Sequence, residues 1–222
     1  MTLQPSRESR LFLVRHGETE ANVAGVWQGG QGDDPLNDRG LRQSAAVASY
    51  LADQEPIATV YTSPLRRARQ TAEAIAQATG APVVEVAGLR EYDIGDLEGV
   101  TAEEITRLWA SFVEKWRTDP DLAPPGGESA RQFALRLHTA LSGIILAASG
   151  QTVVVVSHQG ALATGLAALA GQLHRWKDYQ MSNCAVSLLV CAGDEPPRVE
   201  FFNVAEHLSD IGSEVWDGHR HL

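Results

Sequence analysis

The sequence predicts an α/β fold: a three-layer α/β/α sandwich with a mostly parallel central sheet and one antiparallel edge strand. Three observations carry that prediction. Short, nearly continuous apolar runs recur along the chain, the clearest being the valines at 153–156. Runs of that kind fit strands buried on both faces, as in sheets covered by helices. Helical patterns separate most of them, and strands alternating with helices argue for a layered, parallel arrangement. The last two apolar runs have only a Gly/Pro-containing turn between them, which fits an antiparallel pair.

The elements follow in order. Residues 11–16, "LFLVRH", read as a strand that is apolar and β-branched at Val14. A helix over 38–53 starts at Asn37 or Asp38, either of which can cap it, and carries apolar positions at Leu41, Ala45, Ala48 and Leu51. Residues 59–63 form a second strand, ended by Pro64, and a helix over 65–79 is stopped by Gly80. "VVEV" at 83–86 is a short third strand after the Gly80-Ala81-Pro82 break. A helix over 102–117 follows Thr101, with Glu104 completing a capping box. Another spans 129–149, between "PPGGES" and Gly150. The valine strand, 152–158, leads directly into a helix over 160–170, and strands at 186–191 and 198–204 close the chain.

Composition bounds the function. With 222 residues and 44% hydrophobic content, the chain can bury a core of one domain. Residues 1–222 are therefore expected to form a single domain, with 92–128 as an insertion bordering the functional site. Its aromatic residues Trp109, Phe112 and Trp116 read as packing rather than as a binding box. The net charge of −10 argues against nucleic acid or an anionic membrane as partner. A small anionic ligand would then need a local basic pocket. Cys184 and Cys191 lie outside any CxxC pattern and read as buried, reduced thiols. Residues 1–10 hold no apolar signal-peptide core, and no apolar run reaches the ~18 residues of a membrane span. A cytoplasmic location is expected. An exposed edge strand could pair two copies into a homodimer.

Two parallel-type strands end in histidine, His16 in "LVRHGETEAN" and His158 in "VVVVSHQG". In open α/β sheets, ligands sit outside the carboxyl ends of the strands. One histidine there is most simply a satisfied surface or core residue. Two at equivalent places, one beside Arg15, point to a site.

Six blocks in order strengthen the reading: "LVRHGETEAN", "DPLNDRGLRQSAAVASYL", "TSPLRRARQTAEAI", "LREYDIGDLEG", "PPGGES" and "VVVVSHQG". Together they resemble the histidine phosphatase superfamily, which includes bisphosphoglycerate-dependent phosphoglycerate mutases and many phosphatases. The resemblance spans nearly the whole chain, and "NVAEHL" at 203–208 fits a common ending. It implies that His16 is a nucleophile forming a phosphohistidine. It implies that Arg15 and Arg67 (rather than Arg66) bind the phosphoryl group, that His158 contacts its oxygens, and that Glu91 serves as acid and then base. Gly17, Thr19, Asn22, Gln28 and Gly29 are further candidates for phosphate or substrate contacts.

The chemistry needs these residue types. Phosphoryl transfer is catalysed mostly by positioning and charge stabilisation, and guanidinium groups supply planar donors for phosphoryl oxygens. A nucleophilic imidazole must be neutral, which neighbouring guanidiniums favour. Its other nitrogen needs an acceptor, for which a backbone carbonyl near Gly17 is the candidate. Gly17 would let the chain turn closely beside the phosphate.

Gln159 stands where the family usually has glycine, and a side chain there could narrow the pocket or reach the substrate. Ala21 stands where many members carry an aromatic residue. The stretch "WRTDPDLAPPGGES" lacks the arginine pair that mutases carry and is acidic, so the resemblance favours the phosphatase branch. The expected activity is hydrolysis of a small phosphorylated metabolite without a cofactor or metal. A phosphoglycerate mutase and a non-catalytic phospho-ligand or protein-binding module are the alternatives. His138, His174, His207, His219 and His221 have no assigned role.

Overall fold

The computed structural model describes residues 8–193 and 195–211. Expectations about residues 1–7, about Asp194 in the final turn, and about His219 and His221 lie outside the described residues.

Strand β1 (Ser9–Arg15) leads through a loop into a short helix α1 (Glu20–Ala24). Then come α2 (Asp38–Ala52), β2 (Thr59–Thr62), α3 (Arg66–Thr79) and β3 (Val83–Glu85). The segment that follows holds α4 (Ala102–Glu104), a π-helical stretch (Ile105–Trp109) and α5 (Ala110–Thr118). The second half runs α6 (Ala130–Ala148), β4 (Thr152–Ser157), α7 (Gln159–Leu169), β5 (Val186–Cys191) and β6 (Arg198–Val204).

The six strands form one sheet in the order β3-β2-β4-β1-β5-β6. The four strands β1 to β4 run parallel, β5 pairs antiparallel with β1, and β6 pairs antiparallel with β5. The antiparallel edge thus comprises two strands, with β6 outermost.

Alternation along the strands builds the two outer layers. Phe12, Val14, Val154 and Val156 face a core with α2 and α3. Leu11, Leu13, Val153 and Val155 face the opposite core, with Leu141 and Ile144 of α6 and Leu162 and Leu166 of α7. Every residue of β4 is buried, which is why the valine run shows no polar alternation.

The helix expected over 102–117 starts with its capping box. The Thr101 hydroxyl accepts from Glu104 N–H and Glu104 accepts from Thr101 N–H. It is then interrupted by the π-helical stretch rather than running as one α-helix. Its aromatic residues join a separate apolar cluster around Ile94, Leu97, Ile105 and Val113. Helix α1 was not foreseen because it is five residues long and buries none of them, so it leaves no apolar period. Its signal is the box between Thr19 and Asn22 and the left-handed Gly25 that stops it.

Candidate active site

The site begins with strand register. Arg15, the last residue of β1, lies opposite Ser157, the last residue of β4. His16 and His158 are therefore the next residue on each strand, and His16 N–H donates to Ser157 O at 2.9 Å. Their rings meet with centroids 5.1 Å apart. Side chains more than a hundred residues apart in sequence come together because two parallel strands end level.

Each imidazole is held differently. His16 Nδ1 lies 2.7 Å from Gly17 O. A carbonyl can only accept, so Nδ1 carries the proton and Nε2 keeps its lone pair. Asn183 Nδ2 donates to His16 O at 2.9 Å and fixes the backbone from the other side. His158 Nε2 lies 2.7 Å from Ser63 Oγ, on the loop between β2 and α3. Desolvation is the largest influence on both rings, followed by the charges of nearby cations, and it holds both pKa values well below the usual 6.5. The neutrality that guanidiniums were expected to favour is thus supplied first by burial.

The guanidiniums converge on the same place. Arg67 is only 1% exposed, whereas Arg66 is exposed and Arg69 pairs with Glu85 at the surface. Arg67 donates to Gly32 O at 2.8 Å and Gly29 O at 2.9 Å. Arg15 Nη1 donates to Met181 O at 2.9 Å. Desolvation pulls Arg15 down to about 10 and also lowers Arg67, both partly offset by the charge of Glu91. Arg15 Nε, Arg67 Nε and His158 Nδ1 are buried with no partner. Unpaired buried polar groups are rare in folded proteins and call for an explanation. A multiply charged oxyanion between them would supply the missing acceptors.

Glu91 completes the cluster. Its carboxylate accepts from Tyr92 N–H and from Gly160 N–H, each at 2.8 Å. Gly160 lies in the first turn of α7, where free N–H groups favour a carboxylate. A Cβ at Gly160 would stand 2.6 Å from Glu91 Oε1, so only glycine admits this docking. Burial is the largest influence on Glu91 and raises its pKa above the ordinary value, against those hydrogen bonds and Arg67 and Arg15.

The remaining candidates separate into two groups. Asn22 and Gln28 line the cavity. Asn22 Oδ1 accepts from Thr19 N–H and Asn183 Nδ2, and Gln28 Nε2 donates to Asp34. Gly29 also lines it, but its N–H donates to Glu98 and its carbonyl holds Arg67, so its backbone positions the guanidinium. Thr19 is fully buried as the cap of α1, its hydroxyl bonded to Gln28 and Asn22 N–H, and it is not part of the cavity wall. Gly17 is required by a neighbour other than a phosphate: a Cβ there would stand 2.6 Å from Gly40 O of α2. Gln159 lines the cavity, yet its amide bonds back to the protein, accepting from Met181 N–H at 2.6 Å and donating to Tyr179 O.

Sequence reasoning missed Ser63, Asn183, Met181 and Arg136. Arg136 donates to the carbonyls of Gly88, Arg90 and Glu91 and pairs with Glu128, so it holds the loop that carries the carboxylate. Only Ser63, in "TSP" after a strand, had a positional signal. The others act through backbone carbonyls or from loops that no local pattern marks.

Above this floor opens a cavity of about 830 Å³. Arg15, Glu91 and Gln159 line its inner end, and His16, His158 and Arg67 are almost wholly buried. Tyr92, Ile94, Trp116 and Arg117 bring segment 92–117 to it. Trp116, read as packing, therefore does both: it packs at a tilt against Tyr92 and Trp27 and lines the cavity.

Fold and site together define an α/β protein that gathers two imidazoles, two guanidiniums and a carboxylate at its strand ends. The model of the histidine phosphatase superfamily (branch 1) matches residues 11–204, and the chain belongs to that superfamily. A metal-independent phosphoserine phosphatase of Arabidopsis thaliana is 35% identical over 217 residues, covering 93% of this chain and 86% of that protein. A bifunctional protein of Mycobacterium tuberculosis (strain ATCC 25618 / H37Rv) is 40% identical over 150 residues, 68% of this chain. The chain spans only 41% of that relative's length. Among solved structures, a mycobacterial glucosyl-3-phosphoglycerate phosphatase superposes with a TM-score of 0.77 at 30% identity, over 90% of this chain and all of the other.

Proposed function

We propose that this protein is a phosphomonoesterase that hydrolyses small phosphorylated metabolites through a phosphohistidine on His16. The observation that carries the proposal is the fixed tautomer of His16, proton on Nδ1 at Gly17 O, beside two guanidiniums whose Nε atoms are buried and unpartnered. The phosphatases among its relatives support the same reading.

His16 Nε2 attacks phosphorus as the bond to the leaving oxygen breaks. The ring keeps its Nδ1 proton and becomes formally cationic, a charge that the Gly17 carbonyl steadies. Arg15, Arg67 and His158 bind the equatorial oxygens, where charge is concentrated in the transition state. Glu91, whose pKa burial raises, acts as the acid that protonates the leaving oxygen. Its carboxylate then takes a proton from water as that water displaces His16 Nε2, releasing phosphate and restoring both groups. No step calls for a metal. Segment 116–129 brings Trp116 and Arg117 to the cavity but no arginine pair, which favours water over a second substrate hydroxyl as acceptor. Two buried, unpaired cysteines and the absence, among the described residues, of a helix long and apolar enough to cross a membrane fit a cytoplasmic setting.

The test is turnover of a chromogenic aryl phosphate with and without EDTA, with rapid quenching to trap an acid-labile phosphoryl group. Full turnover in EDTA and a phosphoryl group mapped to His16 are expected. His16→Ala should lose at least about 10⁴-fold in kcat. Unchanged turnover in His16→Ala would defeat the nucleophile, and loss in EDTA would defeat the metal-free mechanism. Interconversion of 3- and 2-phosphoglycerate faster than phosphate release would move the protein to the mutase branch.

A further inference from the structure

The cavity is far larger than a phosphoryl group needs, and its outer wall has a distinct chemistry. Volumes of about 300–1,000 Å³ are typical of pockets that enclose a drug-sized molecule. The polar residues at the inner end are largely engaged with one another. Glu18 pairs with Arg39 and accepts from Asn37, and Asn22 bonds to Thr19 and Asn183. Further out the wall is apolar. Val26, Trp27 and Trp116 come from one side of the chain's course, Leu173 and Trp176 from the turn after α7. Trp116 donates its indole N–H to Tyr92 Oη and packs against Trp27, with ring centroids 6.3 Å apart. Its one polar side-chain atom is thereby engaged, so what it adds to the lining is apolar ring surface.

Leu173 and Trp176 are 37% and 40% exposed, and Val23, on α1 at the same mouth, is 65% exposed. Apolar side chains left in water around a concave site gain most when a ligand covers them. Lys177 sits 5.9 Å over the Trp176 ring, and Arg117 joins it at the mouth. Both cations are exposed to solvent, where ion pairs contribute little. Apolar area, not charge, is what this wall can use to select.

We infer that the outer cavity is a subsite for the alcohol portion of the substrate, and that it favours a bulky, apolar, planar group over a short polar one. The inference rests on the phosphomonoesterase reading for the position of the phosphoryl group. Trp27, Trp116, Leu173 and Trp176 are its specificity-determining residues. A phosphoryl group bound between Arg15, Arg67 and His158 leaves its ester oxygen near Glu91, at the inner end of this same wall. The body of the leaving group then has nowhere to lie except along the apolar surface.

The experiment compares 2-phenylethyl phosphate with ethyl phosphate. Both leave as primary alkoxides of similar basicity, so the comparison reads the wall rather than leaving-group chemistry. The expected kcat/KM ratio is at least about 10 in favour of the phenylethyl ester. Trp176→Ala should collapse most of that ratio, while Leu146→Ala, at an 82% exposed position on α6, should leave it unchanged. In parallel, calorimetry compares the non-hydrolysable 2-phenylethylphosphonate with ethylphosphonate and should show the same preference in Kd. Equal kcat/KM and equal Kd within each pair, with both esters hydrolysed, would overturn the subsite and leave the phosphatase reading standing. Tighter phenylethylphosphonate binding without turnover of either ester would sink the phosphatase reading while supporting the subsite.

Discussion

The floor and the wall of the cavity are built on opposite principles. The floor consists of buried side chains set by strand ends and one helix terminus: His16, His158, Arg67 and Glu91, with Arg15 at its edge. Nearly every group there has a fixed partner, and the polar atoms left without one include Arg15 Nε, Arg67 Nε and His158 Nδ1. The outer wall comes from short or irregular pieces: the five-residue α1, the segment broken by a π-helical stretch, and the turn after α7. Its surface is apolar and partly exposed. Rigidity at the floor suits a reaction that requires preorganised charge. A wall assembled from short pieces can change without disturbing the sheet, which is how one reaction can be turned to different substrates.

The largest effect that would test this division comes from Glu91. Glu91→Gln keeps one carbonyl oxygen, enough for only one of the two N–H donors (Tyr92 and Gly160) that the two carboxylate oxygens now receive, and it cannot act as an acid. A loss of about 10²–10⁴-fold in kcat is expected for an alkyl ester. An aryl ester, whose leaving oxygen needs less help, should lose far less. Equal losses for both esters would show that Glu91 positions rather than protonates.

Acid should destabilise the floor and not the wall. Both buried imidazoles have pKa values held well below 6.5 in the folded protein. The unfolded chain protonates them below about pH 6.5 and the folded chain does not. Their stabilising effect is therefore full above that pH and is lost as pH falls, by up to about 1.4 kcal/mol per pH unit for each ring. His207, lowered by burial, acts in the same direction. Glu91, with its pKa raised, acts oppositely: its contribution is present at low pH and is lost as pH rises through its folded value. Urea unfolding from pH 7 down to 5 should show the decline, and His158→Gln should make it shallower. A flat profile that His158→Gln leaves unchanged would mean that the imidazoles take up protons as readily in the folded chain as in the unfolded one.

The smallest effect lies at the boundary. Gln159 lines the cavity, but its amide holds Met181, whose carbonyl receives Arg15. Gln159→Ala removes that support and should cost about 2- to 10-fold in kcat/KM, the scale of one hydrogen bond. Ethyl and phenylethyl phosphate should lose equally if the residue acts through Arg15. A change in their ratio would assign Gln159 to the wall instead.

The sequence by itself determined the layered α/β class and the end of every strand to within a residue or two, because long-range burial writes itself into apolar runs and Gly/Pro breaks. It also placed His16 and His158 at strand ends, and the ordered blocks singled out Arg67 from its neighbours. Only the tertiary structure decided what those residues touch. The level ends of β1 and β4 bring the imidazoles together. Gly160 opens room for the Glu91 carboxylate, and burial more than neighbouring charge shifts the pKa values of the imidazoles and of the carboxylate. Thr19 and Gly29 changed meaning for the same reason: their polar groups are claimed by Gln28, Glu98 and Arg67, and Gly17 answers to Gly40. Contacts between distant segments depend on register and close approach in three dimensions, which leave no period in one.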